Sequence, residues 1–157
     1  MFIEEKNIQK ILPIKNPINT TWTWNASLDA ILRNYPITDD WIYCNYVQLY
    51  CNLDPDIEGK LFVDFQLVSG GFHDCPWIIN QVLSRNFIDE FICDITDFFI
   101  KSINKGYYIF VIVDENTFFH ISKSKLYHEL FIYGYNLKTK MFSVSDFTHH
   151  RSSNHRE

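Results

Sequence analysis

The segments HELFIYGYN at residues 128–136 and MFSVSDF at residues 141–147 decide the fold, because they are two apolar runs around a short polar turn at 137–140. Tyr, Phe, Ile and Val favour a pleated, half-buried surface, and a few polar residues between two such runs are typical of a hairpin. We therefore predict two antiparallel strands. With 137–139 at the tip, residue 128 lies opposite residue 148, and residue 130 lies opposite residue 146.

A histidine opens the first of these strands and an aspartate closes the second. In the predicted register, His128 and Asp146 are diagonal neighbours on one face, about 7–8 Å apart between backbones. This pair corresponds to the His–Asp half of a catalytic triad, in the order that cysteine peptidases of the papain type use. A lone histidine at a strand start is more often an ordinary surface residue, and a slip of one residue would put the two groups on opposite faces. The spacing alone leaves both interpretations open.

The composition indicates one folded domain. The chain has 157 residues, of which 46% are apolar and 17% aromatic, and it has only five Gly and five Pro, which argues against disorder. The formal charge of −5 offers no basic surface, so we expect no nucleic-acid partner. No apolar run is long enough to span a membrane, and residues 1–6 are too acidic for a signal peptide, so we expect a cytoplasmic location. We expect one domain over 1–147 and a polar tail over 148–157.

The cysteines do not predict a metal site. Cys44, Cys51, Cys75 and Cys93 lack the close pairing that zinc requires, and no histidine pair stands at helical spacing. We expect no metal and no cofactor. Cys44 and Cys51 are seven residues apart and would share one face of a helix, as small buried side chains in a reducing compartment.

The order of elements predicts an α+β protein, with a helical N-terminal half packed on a C-terminal antiparallel sheet. After an irregular lead over 1–20, we predict helices over 27–34, 41–52, 76–83 and 87–104, and strands over 61–68, 107–113 and 117–121 before the hairpin. The apolar run at 107–113 predicts a buried central strand. Gly106 ends the preceding helix, which carries an amphipathic stripe made of Phe91, Ile95, Phe98, Phe99 and Ile103.

This plan resembles a bacterial papain-fold family. The resemblance is carried by GYY at 106–108, VDE at 113–115, YHELFIYGY at 127–135 and DF at 146–147. In the N-terminal half, ASLDAIL at 26–32 is similar to the helix that carries the family's nucleophile, and WIYCNYVQL at 41–49 resembles the segment after it. Over residues 10–147 the chain looks like the N-terminal domain of the butirosin-biosynthesis acyltransferase and its relatives near the double-glycine leader peptidases.

The resemblance implies a papain-like fold and a cysteine-dependent acyl transfer or amide cleavage, in which a thiolate attacks, a histidine is the base and an aspartate orients it. His128 and Asp146 match the last two roles. At the family's cysteine position, five residues before Leu28, this chain has Thr23. A threonine hydroxyl is a poor nucleophile unless a base activates it. Because members of the family often sit among genes for peptide or aminoglycoside natural products, the resemblance also implies an acyl-carrier or peptide substrate.

Cys75 is the alternative nucleophile. It precedes Pro76 at a predicted helix start, where the helix dipole lowers a thiol pKa, and the order Cys75, His128, Asp146 is that of papain. Against it, the papain nucleophile belongs on the first long helix, and buried unreactive cysteines outnumber reactive ones.

Three functions stay open from the sequence. The first is a degenerate papain-like domain with a binding or accessory role in natural-product biosynthesis. The second is an active acyltransferase or peptidase that uses Cys75 or Thr23, and the third is a purely structural interaction domain. The missing cysteine favours the first over the second, and the retained His128 and Asp146 favour the first over the third.

Overall fold

The computed structural model describes residues 7–18, 20, 22–46, 49–53, 61–65, 72–114 and 127–146, which combine helices with antiparallel sheets. In chain order the elements are β1 (Gln9–Ile11), α1 (Thr23–Leu32), a 3₁₀ turn (Pro36–Thr38), α2 (Asp39–Tyr46), β2 (Leu49–Leu53), β3 (Leu61–Phe65), α3 (Arg85–Phe91), α4 (Ile95–Asn104), β4 (Ile109–Asp114), β5 (Tyr127–Asn136) and β6 (Met141–Ser145). The predicted α+β class is confirmed.

The main sheet is built on β5. Along one edge, residues 127–132 of β5 pair with β4 and residues 134–136 pair with β1. The other edge of β5 pairs with β6. All three pairings are antiparallel. The predicted strands after Gly106 and on both sides of the hairpin turn therefore share one sheet. Within the described residues β4 pairs with β5 alone. The predicted burial of the strand at 107–113 was wrong at Ile112, which is 68% exposed. Its predicted central position stays a prediction, because the next predicted strand, at 117–121, lies outside the described residues.

A bulge in β5 corrects the register of the hairpin. Near the turn Gly134 lies opposite Ser143. The predicted pairing places residue 134 opposite residue 142, so the two registers differ by one residue. Beyond Tyr133 the pairing shifts, so that Ile132 lies opposite Val144. The second register is the predicted one. Tyr133 is the extra residue, without an opposite residue on the described part of β6, which is the arrangement of a β-bulge.

Gly134 lies where β1, β5 and β6 approach most closely. A Cβ at this position would lie 2.8 Å from the carbonyl oxygen of Lys10, 3.2 Å from Cα of Ile11 and 3.2 Å from Cβ of Ser143. Only a residue without a side chain lets both neighbouring strands come this close.

Two helices cover opposite faces of the sheet. Side chains alternate along a strand, so Leu130 and Ile132 share one face and Phe131 belongs to the other. Ile103 of α4 packs with the first two in a buried cluster. Ala26 of α1 lies near Phe131, because the two residues line the same cleft. The sheet is therefore enclosed between α4 and α1.

The helical half differs from the prediction at the ends of its elements. The first helix begins at Thr23 rather than at Ser27. The predicted helix over 41–52 ends at Tyr46, and residues 49–53 form β2, which pairs with β3. Cys44 and Cys51 consequently lie on a helix and a strand, not on one helical face, and both are exposed. The lead predicted as irregular contributes β1.

The predicted helix over 76–83 was wrong. No helix forms there, and apolar side chains that it would have carried are exposed, Ile79 by 87%. A short helix needs a buried apolar face for its stability, and this segment has none.

The predicted helix over 87–104 is two helices, α3 and α4. Ser84 caps α3 by accepting a hydrogen bond from N–H of Phe87. Asp94 caps α4 and accepts hydrogen bonds from N–H of Thr96 at 2.8 Å and of Asp97 at 3.1 Å. Gly106 follows α4 with φ +90°, as expected for a glycine that ends a helix.

The predicted strand at 117–121, the end of the predicted strand at 66–68 and the tail at 148–157 lie outside the described residues. None of the helices in the described part of the chain has the length and apolar composition that a membrane crossing needs.

Candidate functional site

His128 and Asp146 are in direct contact. Because a carboxylate only accepts hydrogen bonds, Nε2–H of His128 donates to Oδ1 of Asp146. The two side chains are 26% and 11% exposed, so the pair is largely withdrawn from water. The predicted pairing of these residues on one face of the hairpin is confirmed.

The bulge at Tyr133 makes this contact possible. His128 is the second residue of β5, opposite Val113, and Asp146 directly follows β6. If the register of the turn continued without the bulge, residue 146 would lie opposite residue 131 and its side chain would point away from His128. The shift by one residue returns Asp146 to the face of His128.

The turn that joins β5 to β6 is stabilised by the side chain of Asn136. The Asn136 side-chain oxygen accepts hydrogen bonds from N–H of Lys138 at 2.9 Å and of Thr139 at 3.2 Å. Lys140 then takes a left-handed conformation with φ 57°. Such asparagine-centred turns set the phase in which the strands leave the tip.

The first residue of α1 lies beside Asp146. Thr23 helps to line a cleft of about 40 Å³ with Pro17, Ala26, Ser27, Glu129, Phe131, Ser145 and Asp146. Asp146 therefore belongs both to the pair with His128 and to the cleft, whereas His128 does not line the cleft. At about 30 Å³ for each water molecule, the cleft holds one group of that size.

The described N-cap residue of α1 does not cap the helix with its side chain. Trp22 occupies the N-cap position without a side-chain hydrogen bond to the helix, and its ring stacks on that of Trp24 at 5.1 Å. Amide N–H groups at the beginning of a helix attract carbonyl or anionic oxygens. The end of the cleft at Thr23 is therefore suited to an oxygen acceptor.

Glu129 is a cleft residue that the sequence analysis missed. Burial raises the pKa of this carboxyl, and the nearby His128 offsets part of the rise. Glu129 consequently carries a proton more readily than an exposed glutamate and can donate a hydrogen bond in the cleft. The sequence signal was a single carboxylate inside an otherwise apolar strand. Ser27 and Ser145 gave no comparable signal.

Cys75 lies away from the cleft. It is 3% exposed and packs with Leu28, Leu32 and Ile42. At 3.6 residues per turn, Leu28 is on the opposite side of α1 from Ala26, which lines the cleft. The thickness of α1 therefore lies between the thiol and the cleft.

The chemistry of Cys75 also differs from the expectation. No helix begins at Pro76, so the predicted lowering of the thiol pKa by a helix dipole was wrong. Burial instead raises the pKa of Cys75, although backbone hydrogen bonds from Trp77 and Ile78 partly offset the rise. Its thiolate is scarce at neutral pH, and its nucleophilicity is correspondingly low.

The other three cysteines, Cys44, Cys51 and Cys93, are exposed. Among the residues with described positions, no group of three or more His, Cys, Asp or Glu is arranged to hold a metal ion.

No protein-family model, curated protein or solved structure matches this chain.

Proposed function

We propose that the chain is a degenerate papain-like domain that binds an acyl or peptide substrate without covalent chemistry, in a binding or accessory step of peptide or aminoglycoside natural-product biosynthesis. One observation carries the proposal. Thr23 is the first residue of α1 and lines the cleft together with Asp146. In the family that this chain resembles, the corresponding position holds the cysteine.

The environment of Thr23 argues against covalent catalysis. A hydroxyl needs a base within hydrogen-bond reach to become a nucleophile. His128 does not line the cleft, and its Nε2 is held by Asp146. Any proton transfer by His128 would therefore use Nδ1. The hydroxyl of Ser27, a neighbouring alternative, already donates a hydrogen bond to the carbonyl oxygen of Thr23 at 2.7 Å.

The same environment favours an amide or thioester carbonyl as a ligand. The start of α1 provides N–H groups for the carbonyl oxygen, Asp146 can accept from an amide N–H, and Glu129, whose pKa is raised by burial, can donate when protonated. Phe131 supplies an apolar wall. Because the cleft holds one water-sized group, the carbonyl enters and the remainder of the substrate lies outside it.

The proposal is tested by titrating the ¹⁵N-labelled protein with S-methyl butanethioate, a thioester that contains no amide group. We expect amide shifts at Thr23, Ser27 and Ser145, with no change of protein mass. The corresponding thioether, butyl methyl sulfide, has no carbonyl oxygen and is the matched control, and we expect it to bind more weakly.

Each other outcome decides against the proposal. An acyl adduct on the wild-type chain would make the protein an active transferase. Shifts that miss the cleft, or equal shifts from thioester and thioether, would leave the His128–Asp146 pair with a structural role only.

A further inference from the structure

A wider cavity lies at the other end of α1. It has a volume of about 190 Å³ and is lined by Lys15, Ile18, Arg33, Pro36, Asp39, Ile42 and Tyr43. None of these residues lines the cleft at Thr23, so the cavity is separate from the site described above.

The wall of this cavity carries one excess positive charge. Lys15 and Arg33 are cations and Asp39 is an anion. Among the described ion pairs, neither cation is paired with Asp39 or with any other carboxylate. A ligand with a single negative charge would supply the missing partner, whereas a doubly charged anion would be opposed by Asp39.

Arg33 is anchored beside the cavity. Its Nη1 donates a hydrogen bond to the carbonyl oxygen of Asn16. A guanidinium has five N–H donors in a planar fork, and the fork matches the two oxygens of a carboxylate. The bond to Asn16 uses one of these donors, so four stay available for a ligand.

The segment that carries Lys15 is tied to α1 before any ligand arrives. N–H of Lys15 donates to the carbonyl oxygen of Ala30 at 2.9 Å, and N–H of Ile18 donates to Oδ2 of the buried Asp29. These bonds hold the backbone beneath both residues at the cavity. The backbone on the cationic side of the cavity is therefore in place before a ligand binds.

The other side of the cavity is apolar. Ile42 is buried, while Ile18, Pro36 and Tyr43 are exposed. At about 30 Å³ for each water, the cavity corresponds to about six water molecules, which is below the size of sites for drug-sized ligands. A small ring or branched alkyl group fits this volume.

We infer that this cavity binds a small monocarboxylate that carries a hydrophobic or aromatic group. The carboxylate lies between Lys15 and Arg33, and the apolar group lies against Ile42 and Tyr43. The inference does not depend on the function proposed for the cleft.

The test uses 4-fluorobenzoate as the probe, with ¹⁹F NMR on the intact chain. We expect saturable binding that is at least about tenfold tighter than that of 4-fluorobenzamide, the neutral analogue of the same shape, because charge-assisted hydrogen bonds contribute this much. Inorganic phosphate, mostly a dianion above pH 7, should not displace the probe at equal concentration.

Four variants locate the binding. Lys15→Gln should weaken 4-fluorobenzoate binding about tenfold, and Asp39→Asn should strengthen it, because a repelling charge is removed. Lys138→Gln, in the exposed hairpin turn, removes the same charge elsewhere and should leave the affinity unchanged. Arg33→Gln should also weaken binding, but it removes the bond to Asn16, so Lys15→Gln is the deciding variant.

The inference is overturned if 4-fluorobenzoate shows no saturable binding in the millimolar range. Equal affinity for the benzamide, unchanged affinity in a folded Lys15→Gln variant, or displacement by phosphate would each overturn it as well. Far-UV circular dichroism establishes that each variant is folded.

Discussion

His128 and Asp146 are joined across the hairpin because one residue, Tyr133, bulges out of β5. The turn alone would leave the two side chains on opposite faces of the sheet, since a shift by one residue reverses every side chain. The bulge lies between the turn and the pair, so it corrects the register before His128 is reached. Bulges are frequent beside functional sites for this reason.

The pair should be energetically coupled. In a double-mutant cycle with His128→Ala and Asp146→Ala, we expect a coupling free energy of about 1 kcal/mol, because both side chains are largely buried. The exposed i,i+4 pair Arg85–Asp89 is the matched control and should give about 0.3–0.5 kcal/mol. Urea denaturation of the variants measures both cycles. A coupling for the buried pair no larger than that of the control would contradict the contact.

Gly134→Ala should destabilise the fold by about 1–3 kcal/mol, the usual range for an added methyl group in a packed region. The new Cβ would meet the backbone of Lys10, which cannot rotate away. Lys138→Ala, on the exposed turn of the same hairpin, should change the free energy of unfolding by less than about 0.5 kcal/mol. If Gly134→Ala were as mild as this control, β1 would not pass where it is described.

Cys75 should be the slowest cysteine to react. At pH 8, iodoacetamide should modify Cys44, Cys51 and Cys93 first, because they are exposed, while burial shields Cys75 and raises its pKa. In urea the four should react alike. Peptide mapping over time measures the order. Rapid modification of Cys75 that is lost in His128→Ala would identify it as an active nucleophile.

Ionisation of Tyr108 should make the free energy of unfolding depend on pH in the alkaline range. Burial, and to a smaller extent Tyr35, raises the pKa of Tyr108 from 10.0 to about 12, and its hydroxyl donates to the carbonyl oxygen of Pro13 at 2.6 Å. Because the folded pKa is the higher one, the stabilisation is complete below pH 10 and is lost as the pH rises through 12.

The variant Tyr108→Phe tests this dependence. At pH 8 it should be less stable than the wild type by about 1 kcal/mol, the contribution of one hydrogen bond. The difference should shrink at pH 11. Tyr127→Phe, at an exposed tyrosine, is the control and should show little difference at either pH. If the difference in the free energy of unfolding between the wild type and Tyr108→Phe stayed constant with pH, the raised pKa would be contradicted.

The C-terminal half was the more predictable part of the fold. Alternating apolar residues and the polar turn locate β5 and β6. Counting along them gave the correct pairing of His128 with Asp146 only because the bulge at Tyr133 offsets the one-residue error in the predicted register of the turn. Tyr133 was not identified as a bulge, because Phe131, Ile132 and Tyr133 form a continuous apolar run in which nothing marks an extra residue.

The predictions for the N-terminal half contained errors of two kinds. Residues 49–53 have apolar spacing that suits a helix, but pairing with the distant β3 makes them a strand. Local periodicity cannot reveal such a partner. The helix over 76–83 was predicted from Pro76, since proline is common at the first position of a helix. The residues that follow it have no buried apolar face. The break before α4, by contrast, had a readable signal in Asp94, a strong N-cap residue.

The cleft was predicted only in part. The resemblance placed Thr23 at the start of the first helix, and α1 does begin there, but Glu129, Ser27 and Ser145 were not foreseen as its neighbours. The second cavity was missed entirely. Lys15 and Arg33 meet only because the segment before α1 folds back along that helix.

We propose as the central claim that the start of α1 and the His128–Asp146 pair, which share Asp146 at the edge of the cleft, act as one site. The variant Thr23→Cys tests this claim most directly. Intact-mass spectrometry follows reaction with the hexanoyl thioester of N-acetylcysteamine. The new thiol attacks the carbonyl carbon, an acyl–sulfur bond forms on the protein, and N-acetylcysteamine leaves with the proton.

We expect no adduct on the wild type, an adduct on residue 23 of Thr23→Cys, and a rate at least about tenfold lower in Thr23→Cys with His128→Ala, since general bases contribute this much or more. If Thr23→Cys reacts no faster than the exposed Cys44 and is indifferent to His128→Ala, the helix start and the pair are not one site. An adduct on the wild-type chain would show instead that the protein already has a working nucleophile.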